Sequence, residues 1–308
     1  MAAYRIAVIG LGKIAQDQHL PVIAESADFT LAGVVSQRGL DIAGVPSFRD
    51  PAALLRDLPD LDAVAICTPP QARHAIARAA LAAGRHVMLE KPPTATLSEL
   101  SDLAGAAAER GVVLMTTWHS QYNAAVDAAR ARLAGERVAR LFIEWKEDVR
   151  KWHPGQAWIW RAGGFGVFDP GINALSIAVK ILPQKLFVAA AELVVPVNAE
   201  APIAASLRFA GEGDLRAEFD WRQSGDEIWQ ITVETRAGRR LVLSDGGGRL
   251  DIDGVEVVAA PRREYHDIYA HFAALLAARH SHVDARPFEL VADAFLLGTR
   301  RTTAAFAD

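Results

Sequence analysis

Gly10, Gly12 and Ala15 fall in the spacing G-x-G-x-x-[GA], directly after the apolar run Ile6-Ala7-Val8-Ile9. In that setting each position has a job. The first glycine permits a tight strand-to-helix turn, and the second lets a pyrophosphate approach backbone that a Cβ would block. The small third residue lets the helix pack close, with its free N–H groups facing the anion. About 20 residues beyond the glycines, a carboxylate would bind a ribose 2′-hydroxyl and repel a 2′-phosphate. The chain has Ser36-Gln37-Arg38 there instead. A hydroxyl and a guanidinium can hold a phosphate, so NADP should be accepted.

A second group of chemically able residues lies in the later half. Leu141, Ile143, Trp145 and Glu147 share one face of an alternating segment. A carboxylate on an apolar face is odd unless something binds it, or unless the strand there simply emerges into solvent. Next, Lys151–Trp160 carries three tryptophans and His153 in irregular sequence. Indoles can stack on the C–H faces of a sugar while an imidazole meets a hydroxyl, so the set reads as a binding surface. Asp169 and Asn173 are four residues apart, on one face of a first helical turn. A plain role also exists there: Asp169 suits a helix N-cap and Pro170 the first helical residue.

These residues need a frame. Up to about residue 120 strands and helices alternate: strands at Ile6–Ile9, Leu31–Val35, Ala63–Cys67, Val87–Leu89 and Val112–Met115, with helices at Leu20–Ser26, Ala52–Arg56, Arg73–Ala83 and Leu97–Arg110 between them. Such alternation with short loops predicts an α/β fold with an N-terminal Rossmann doubly wound parallel sheet, whose ligands bind at the carboxyl ends of the strands. Gly10, Ser36, Thr68, Lys91 and His119 all fall at or just beyond such ends. From about Gln121 the pattern changes. A helix over Ala124–Leu133 and a strand over Val138–Val149 lead to a helix over Ala174–Ile181. Strand-length segments follow at Ile203–Phe209, Leu215–Trp221, Ile228–Thr235, Arg240–Leu243 and Leu250–Ile252, then helices at Ile268–Ala278 and Leu290–Phe306. The alternation of Leu215, Ala217, Phe219 and Trp221 with charged residues predicts a C-terminal α/β domain with a large, mainly antiparallel, open-faced sheet. The expected domains are 1–121 and 122–308, the second closed by the C-terminal helix.

The bulk properties set outer limits. A chain of 308 residues with 51% hydrophobic content can bury about two cores. Net charge −4 with dispersed charges argues against nucleic acid as a partner. Cys67 is the single cysteine and sits in an apolar run, which suits a buried core residue and leaves no disulfide or cysteine metal cluster. No apolar run approaches the roughly 18 residues that span a bilayer, and no signal-peptide pattern opens the chain. The expectation is a soluble cytoplasmic protein with no metal and no membrane partner.

Gly-Leu-Gly-Lys-Ile-Ala, Cys-Thr-Pro-Pro and Gly-Arg-His-Val-Met-Leu-Glu-Lys-Pro-Pro together resemble the Gfo/Idh/MocA family of NAD(P)-dependent sugar oxidoreductases. The resemblance implies NADP or NAD along Gly10, Gly12, Lys13 and Ile14, then Ser36, Gln37 and Arg38, then Thr68, Pro69, Glu90 and Lys91. It makes Lys91 the active-site lysine, commonly followed by a cis peptide to Pro92. A lysine held by a proline-locked turn at a strand end can steady growing negative charge on a substrate oxygen. The resemblance also assigns the family's catalytic Asp-x-x-x-His pair to Asp169 and Asn173, with Asn replacing His. That change removes the usual base. An anomeric hydroxyl is more acidic than an ordinary alcohol, so oxidation at C1 could be managed by a carboxylate with Asn173 as orienter. The runs Trp-Lys-Glu-Asp-Val-Arg, Trp-His-Pro-Gly-Gln and Val-Phe-Asp-Pro-Gly-Ile-Asn are similar to those of the family's bacterial 1-dehydrogenases of L-arabinose and D-galactose. On this reading His119, Glu147 and His153 anchor hydroxyls of an aldose, Trp152 or Trp229 packs on its ring, and the open sheet face makes a homodimer. Other reactions of the family (ring-alcohol oxidation, aldose–aldose exchange) and a non-catalytic nucleotide sensor are the rivals.

Overall fold

A computed structural model describes residues 3–261 and 263–307. They form two compact units. The first runs to His119 and takes in Glu264–Ala285, and the second takes Ser120–Arg263 and the chain from Arg286 onward. The boundary therefore falls two residues before the expected 121, and 122–308 does not stay whole. Glu264–Ala278 joins the first unit because Tyr265, Ile268, Tyr269 and Phe272 form one buried stripe at helical spacing. Its Phe272 ring stacks on Phe29 with centroids 5.8 Å apart.

In the first unit, β1 (Tyr4–Ile9), β2 (Phe29–Val35), β3 (Ser47–Phe48), β4 (Ala63–Ile66), β5 (His86–Leu89) and β6 (Leu114–Thr116) pair in parallel in the order β3-β2-β1-β4-β5-β6. Ile6–Ile9, Ala63–Ile66 and Val87–Leu89 are sealed off from solvent, which is why they read as continuous apolar runs and not as alternations. The helices between them carry their own signals. Asp50 caps Pro51–Asp57, and Thr96 with Glu99 forms a capping box on Leu97–Arg110, which ends at Gly111 in the left-handed region. The helix after the glycine turn has one irregularity. Ala15–His19 is wound as a π turn, with the Leu20 N–H bonding the Ala15 carbonyl, before Leu20–Glu25 resumes α geometry. Pro21 has no N–H to extend the regular ladder there. The turn leaves the His19 side chain fully buried.

The second unit is built on a nine-stranded sheet. Its strands are β7 (Val138–Lys146), β8 (Val188–Pro196), β9 (Ala204–Phe209), β10 (Asp214–Asp220), β11 (Ile228–Thr235), β12 (Arg240–Ser244), β13 (Arg249–Ile252), β14 (Val255–Ala259) and β15 (Thr299–Thr303), in the order β14-β13-β12-β11-β7-β10-β9-β8-β15. Only the β7–β10 and β8–β15 pairings are parallel. Leu141, Ile143, Leu215, Ala217, Phe219, Ile231 and Val233 face the core. The helix Phe168–Ile181 comes close enough to that face for a Cβ on Gly171 to meet the Phe219 ring at 3.0 Å. The opposite face is open and charged, with Lys146 bridging Glu144 and Glu218 at 3.2 and 3.3 Å.

Two elements end well short of their expected boundary. The strand expected to Val149 ends at Lys146, because Asp148 turns to cap the short helix Val149–Trp152. The closing helix covers Arg286–Leu297 only. A Cβ on Gly298 would lie 2.4 Å from the Ala294 carbonyl, and the segment Thr299–Thr303 after it pairs with β8 as an edge strand. Among the described residues no helix is long and apolar enough to cross a membrane.

Candidate active site

In the first unit the crevice forms where the strand order reverses, between β1 and β4. Gly10 has φ 97° and donates its N–H to the Val35 carbonyl at 2.9 Å. A Cβ at Gly10 would sit 2.8 Å from the Thr68 nitrogen, so the two strand-end turns touch and only glycine fits. A Cβ on Gly12, by contrast, meets no protein atom within 4 Å, leaving that backbone open to a bulky anion. Ala15 is fully buried, as close helix packing requires, while Lys13 and Ile14 are exposed and Lys13 pairs with Asp17. The Thr68 hydroxyl is buried at this crevice with no protein partner among the described residues, and Pro69 lies exposed beside it. The Ser36 hydroxyl accepts the Leu40 N–H at 3.2 Å and shapes the turn that exposes Gln37 and Arg38. Arg49, which no local pattern marks in the sequence, reaches the Gln37 carbonyl at 3.4 Å. Two guanidinium groups thus accompany this turn. An open glycine backbone, an orphaned hydroxyl and these cations fit a dinucleotide with a 2′-phosphate.

The Lys91 turn is held from inside the same unit. The sequence places Glu90 along the cofactor, but the structure turns its carboxylate inward, 3% exposed. It accepts the Lys91 N–H at 3.0 Å and the Tyr265 O–H at 2.8 Å, and lies 3.1 Å from His19 Nε2. The other His19 nitrogen is 2.9 Å from the Tyr269 hydroxyl. Burial works against the Glu90 charge, but the hydrogen bond and charge of His19, with His119 and Arg73, bring its pKa down to about 2. Burial likewise opposes charge on His19, and Cys67, Tyr269 and Glu90 outweigh it, raising that pKa well above the ordinary imidazole value. Arg73, 4% exposed, donates to the Glu90 and Pro92 carbonyls, and to that of Thr68 at 2.6 Å. The Lys91–Pro92 peptide is cis. His119 lies at the β6 end, its ring stacked on Tyr265 and its Nδ1 3.6 Å from Glu264.

In the second unit, Glu147 is 4% exposed and accepts the Trp229 indole N–H at 2.8 Å, so the strand does not merely emerge into solvent there. Trp229 lies against both Trp145 and Trp152, with centroids 5.9 and 5.7 Å away. Trp152 donates to Glu227 at 2.6 Å, which also holds Lys151. The three tryptophans do not form one surface, however. Trp158 bonds Gln156, and Trp160 packs on Trp221 and Phe306, so only Trp152 stands with Trp229. His153 Nε2 is 3.3 Å from Asp169 Oδ2, and its ring lies against Trp221. Asp169 is not the helix cap: that position falls at Val167, and the 4% exposed carboxylate lies inside the first turn with the half-buried Asn173 four residues on. The buried indole N–H groups of Trp145 and Trp221 have no acceptor among the described residues. Each belongs to a ring touching Trp229 or His153.

The sequence profile of the GFO_IDH_MocA group, an oxidoreductase family with an NAD-binding Rossmann fold, matches residues 4–118. A galactose 1-dehydrogenase from Pseudomonas fluorescens is 46% identical, with both chains covered in full. The chain belongs to the Gfo/Idh/MocA oxidoreductase family. The crystal structure of a D-galactose-1-dehydrogenase protein from Rhizobium etli superposes with a TM-score of 0.95 at 49% identity, covering 100% of this chain and 99% of that one. A 3-ketoreductase from Actinomadura kijaniata, solved with TDP-benzene and NADP, shares the fold at 18% identity, with a TM-score of 0.81 over 98% of this chain and 99% of that one. As a member of the family, the protein is an NAD(P)-dependent sugar dehydrogenase.

For this Gfo/Idh/MocA enzyme the 36–40 turn predicts a cofactor preference. Arg38→Ala is expected to raise KM for NADP by about ten- to a hundred-fold, the loss of one charged hydrogen bond of roughly 1.5–3 kcal/mol, with KM for NAD nearly unchanged. Equal losses with the two cofactors in steady-state assays would remove the 2′-phosphate contact.

Proposed function

We propose that this protein is an NAD(P)-dependent aldose 1-dehydrogenase that converts D-galactose and L-arabinose to their lactones. The observation that carries the reading is the full-length likeness to a galactose 1-dehydrogenase at 46% identity. L-Arabinose is D-galactose without its C6 hydroxymethyl, so one pocket serves both. The nicotinamide ring, when bound, supplies the acceptor for the hydride that leaves C1. Asp169 takes the proton of the anomeric hydroxyl, and Lys91 steadies the negative charge that the departing proton leaves on that oxygen until hydride leaves C1 and the lactone carbonyl forms. Asn173, one helical turn from Asp169, orients the same hydroxyl. In the second unit Glu147 and His153 accept or donate to ring hydroxyls, and Trp152 or Trp229 offers its face to the sugar C–H groups. His119 anchors a further hydroxyl.

The test is a panel of aldoses and cyclitols with each cofactor, followed by reduced-nicotinamide absorbance and by identification of the product. The expected outcome is fastest turnover with D-galactose and L-arabinose and a 1,5- or 1,4-lactone as product. Oxidation at a ring secondary alcohol, or sugar-to-sugar exchange on a cofactor that stays bound through purification, would replace the reading. The same proposal places the enzyme in the cytoplasm and takes the open sheet face as a dimer surface, with sedimentation as a single protomer the result against the latter.

A further inference from the structure

We propose that Arg73, Glu90, His19 and Tyr265 form a buried splint whose task is to fix the main chain on both sides of Lys91, and that they are positioning residues for its ammonium group. Three polar main-chain atoms around the lysine are held by these side chains. The Glu90 and Pro92 carbonyls accept from Arg73, and the Lys91 N–H donates to the Glu90 carboxylate at 3.0 Å. That carboxylate is in turn held by the Tyr265 O–H at 2.8 Å and by His19 at 3.1 Å. Burial and the Glu90 charge raise the Tyr265 phenol pKa, so this hydroxyl remains a donor. All four side chains are 4% exposed or less.

Stability alone does not call for such a cluster. Buried ion pairs are commonly no better for stability than apolar residues of the same volume, because desolvation consumes the Coulombic gain. What the polar cluster does that an apolar one cannot is bond to the backbone of the turn that carries Lys91. The lysine head is the far end of a flexible stem, so its position at a reacting oxygen depends on where its Cα is held. A misplacement of about 1 Å at a reacting centre can cost about 10²-fold in rate. Three of the four holders come from elsewhere in the chain: the π turn after the glycines, the helix Pro70–Ala82, and the helix Glu264–Ala278. The first unit recruits that last helix from some 175 residues beyond Glu90, and its second residue is the one that bonds the carboxylate.

The proposal rests on Lys91 being the charge-stabilising group, and a double-mutant cycle separates the two. Tyr265→Phe deletes a single oxygen from a buried ring. It is expected to lower kcat about 10-fold, with KM for NADP and for galactose within about two-fold of wild type. In Lys91→Ala protein, where no ammonium remains to be positioned, Tyr265→Phe should change the residual kcat less than about two-fold. A merely structural role predicts instead that the two losses multiply, and that outcome, or an unchanged kcat in Tyr265→Phe alone, overturns the splint while leaving Lys91's role intact. A Lys91→Ala enzyme of normal turnover overturns both. If Tyr265→Phe does not fold, His19→Leu against His19→Gln carries the same cycle. Gln keeps a donor toward Glu90 and should recover most of the kcat that Leu loses, and no recovery counts against the splint.

Discussion

Lys91→Ala is expected to lower kcat by about 10²-fold or more, with KM for NADP nearly unchanged. The size follows from what the side chain does in the proposed reaction. As the anomeric hydroxyl gives up its proton, negative charge collects on its oxygen ahead of hydride transfer, and an ammonium group already in place lowers that barrier without solvent having to reorganise. Removing one preorganised donor from such a site commonly costs about 2.7–4 kcal/mol in the transition state. The ground state should lose little if the glycine turn and the 36–40 turn, neither of which the substitution touches, supply most of the proposed cofactor contacts. Folding should also survive. The main chain at this position is held by Arg73 and by the Glu90 carboxylate, and both bond backbone atoms that alanine retains. Steady-state rates on the folded variant decide the matter. Turnover near wild type would end the catalytic assignment, and a raised KM for NADP with normal kcat would recast Lys91 as a cofactor-binding residue.

Much of the frame is legible in the sequence because local rules and the fold agree. Strands buried on both faces read as unbroken apolar runs, glycines stand where a Cβ would collide or where backbone must stay open, and the capping box at Thr96 announces its helix. What is not legible is the part assembled from a distance. His19 and Tyr265 meet Glu90 across 71 and 175 residues, and neither belongs to a motif. The only local trace of His19's role is a proline two residues on, next to which the helix widens into a π turn. Arg49 joins the Arg38 turn from a loop whose sequence is ordinary. Composition can also mislead. Three tryptophans in nine residues suggest one surface, yet Trp160 serves the core with Trp221 and Phe306 while Trp152 joins Trp229 beside Glu147. The segment after Leu290 is expected to be helical throughout, but Gly298 ends the helix and Thr299–Thr303 beyond it adds an exposed edge strand. For the tryptophans hydrophobicity is read correctly and its direction is not, since direction is set by the neighbour each face packs against.

Asp169 is where that ambiguity bears most on function. Read along the chain, a helix cap and a catalytic carboxylate are equally natural before a proline. The structure moves the cap to Val167 and leaves Asp169 inside the first turn, 3.3 Å from His153. Asp169→Asn should therefore keep the fold, since the amide oxygen can still accept from the imidazole and no cap is lost. Cofactor binding should be unchanged as well. Turnover is different. A proton acceptor must titrate, and an amide does not, so kcat for galactose or arabinose should fall by about 10²-fold or more, in the range typical of a lost general base. Wild-type kcat should also decline toward acid pH along a single ionisation, as the carboxylate becomes protonated and can no longer accept, and that limb should be missing from the variant's profile. The pairing with His153 supplies the competing outcome. If Asp169→Asn keeps most of its activity and the acid limb survives, the titrating group is the imidazole, the carboxylate serves to orient it, and His153→Gln becomes the substitution that abolishes the pH dependence.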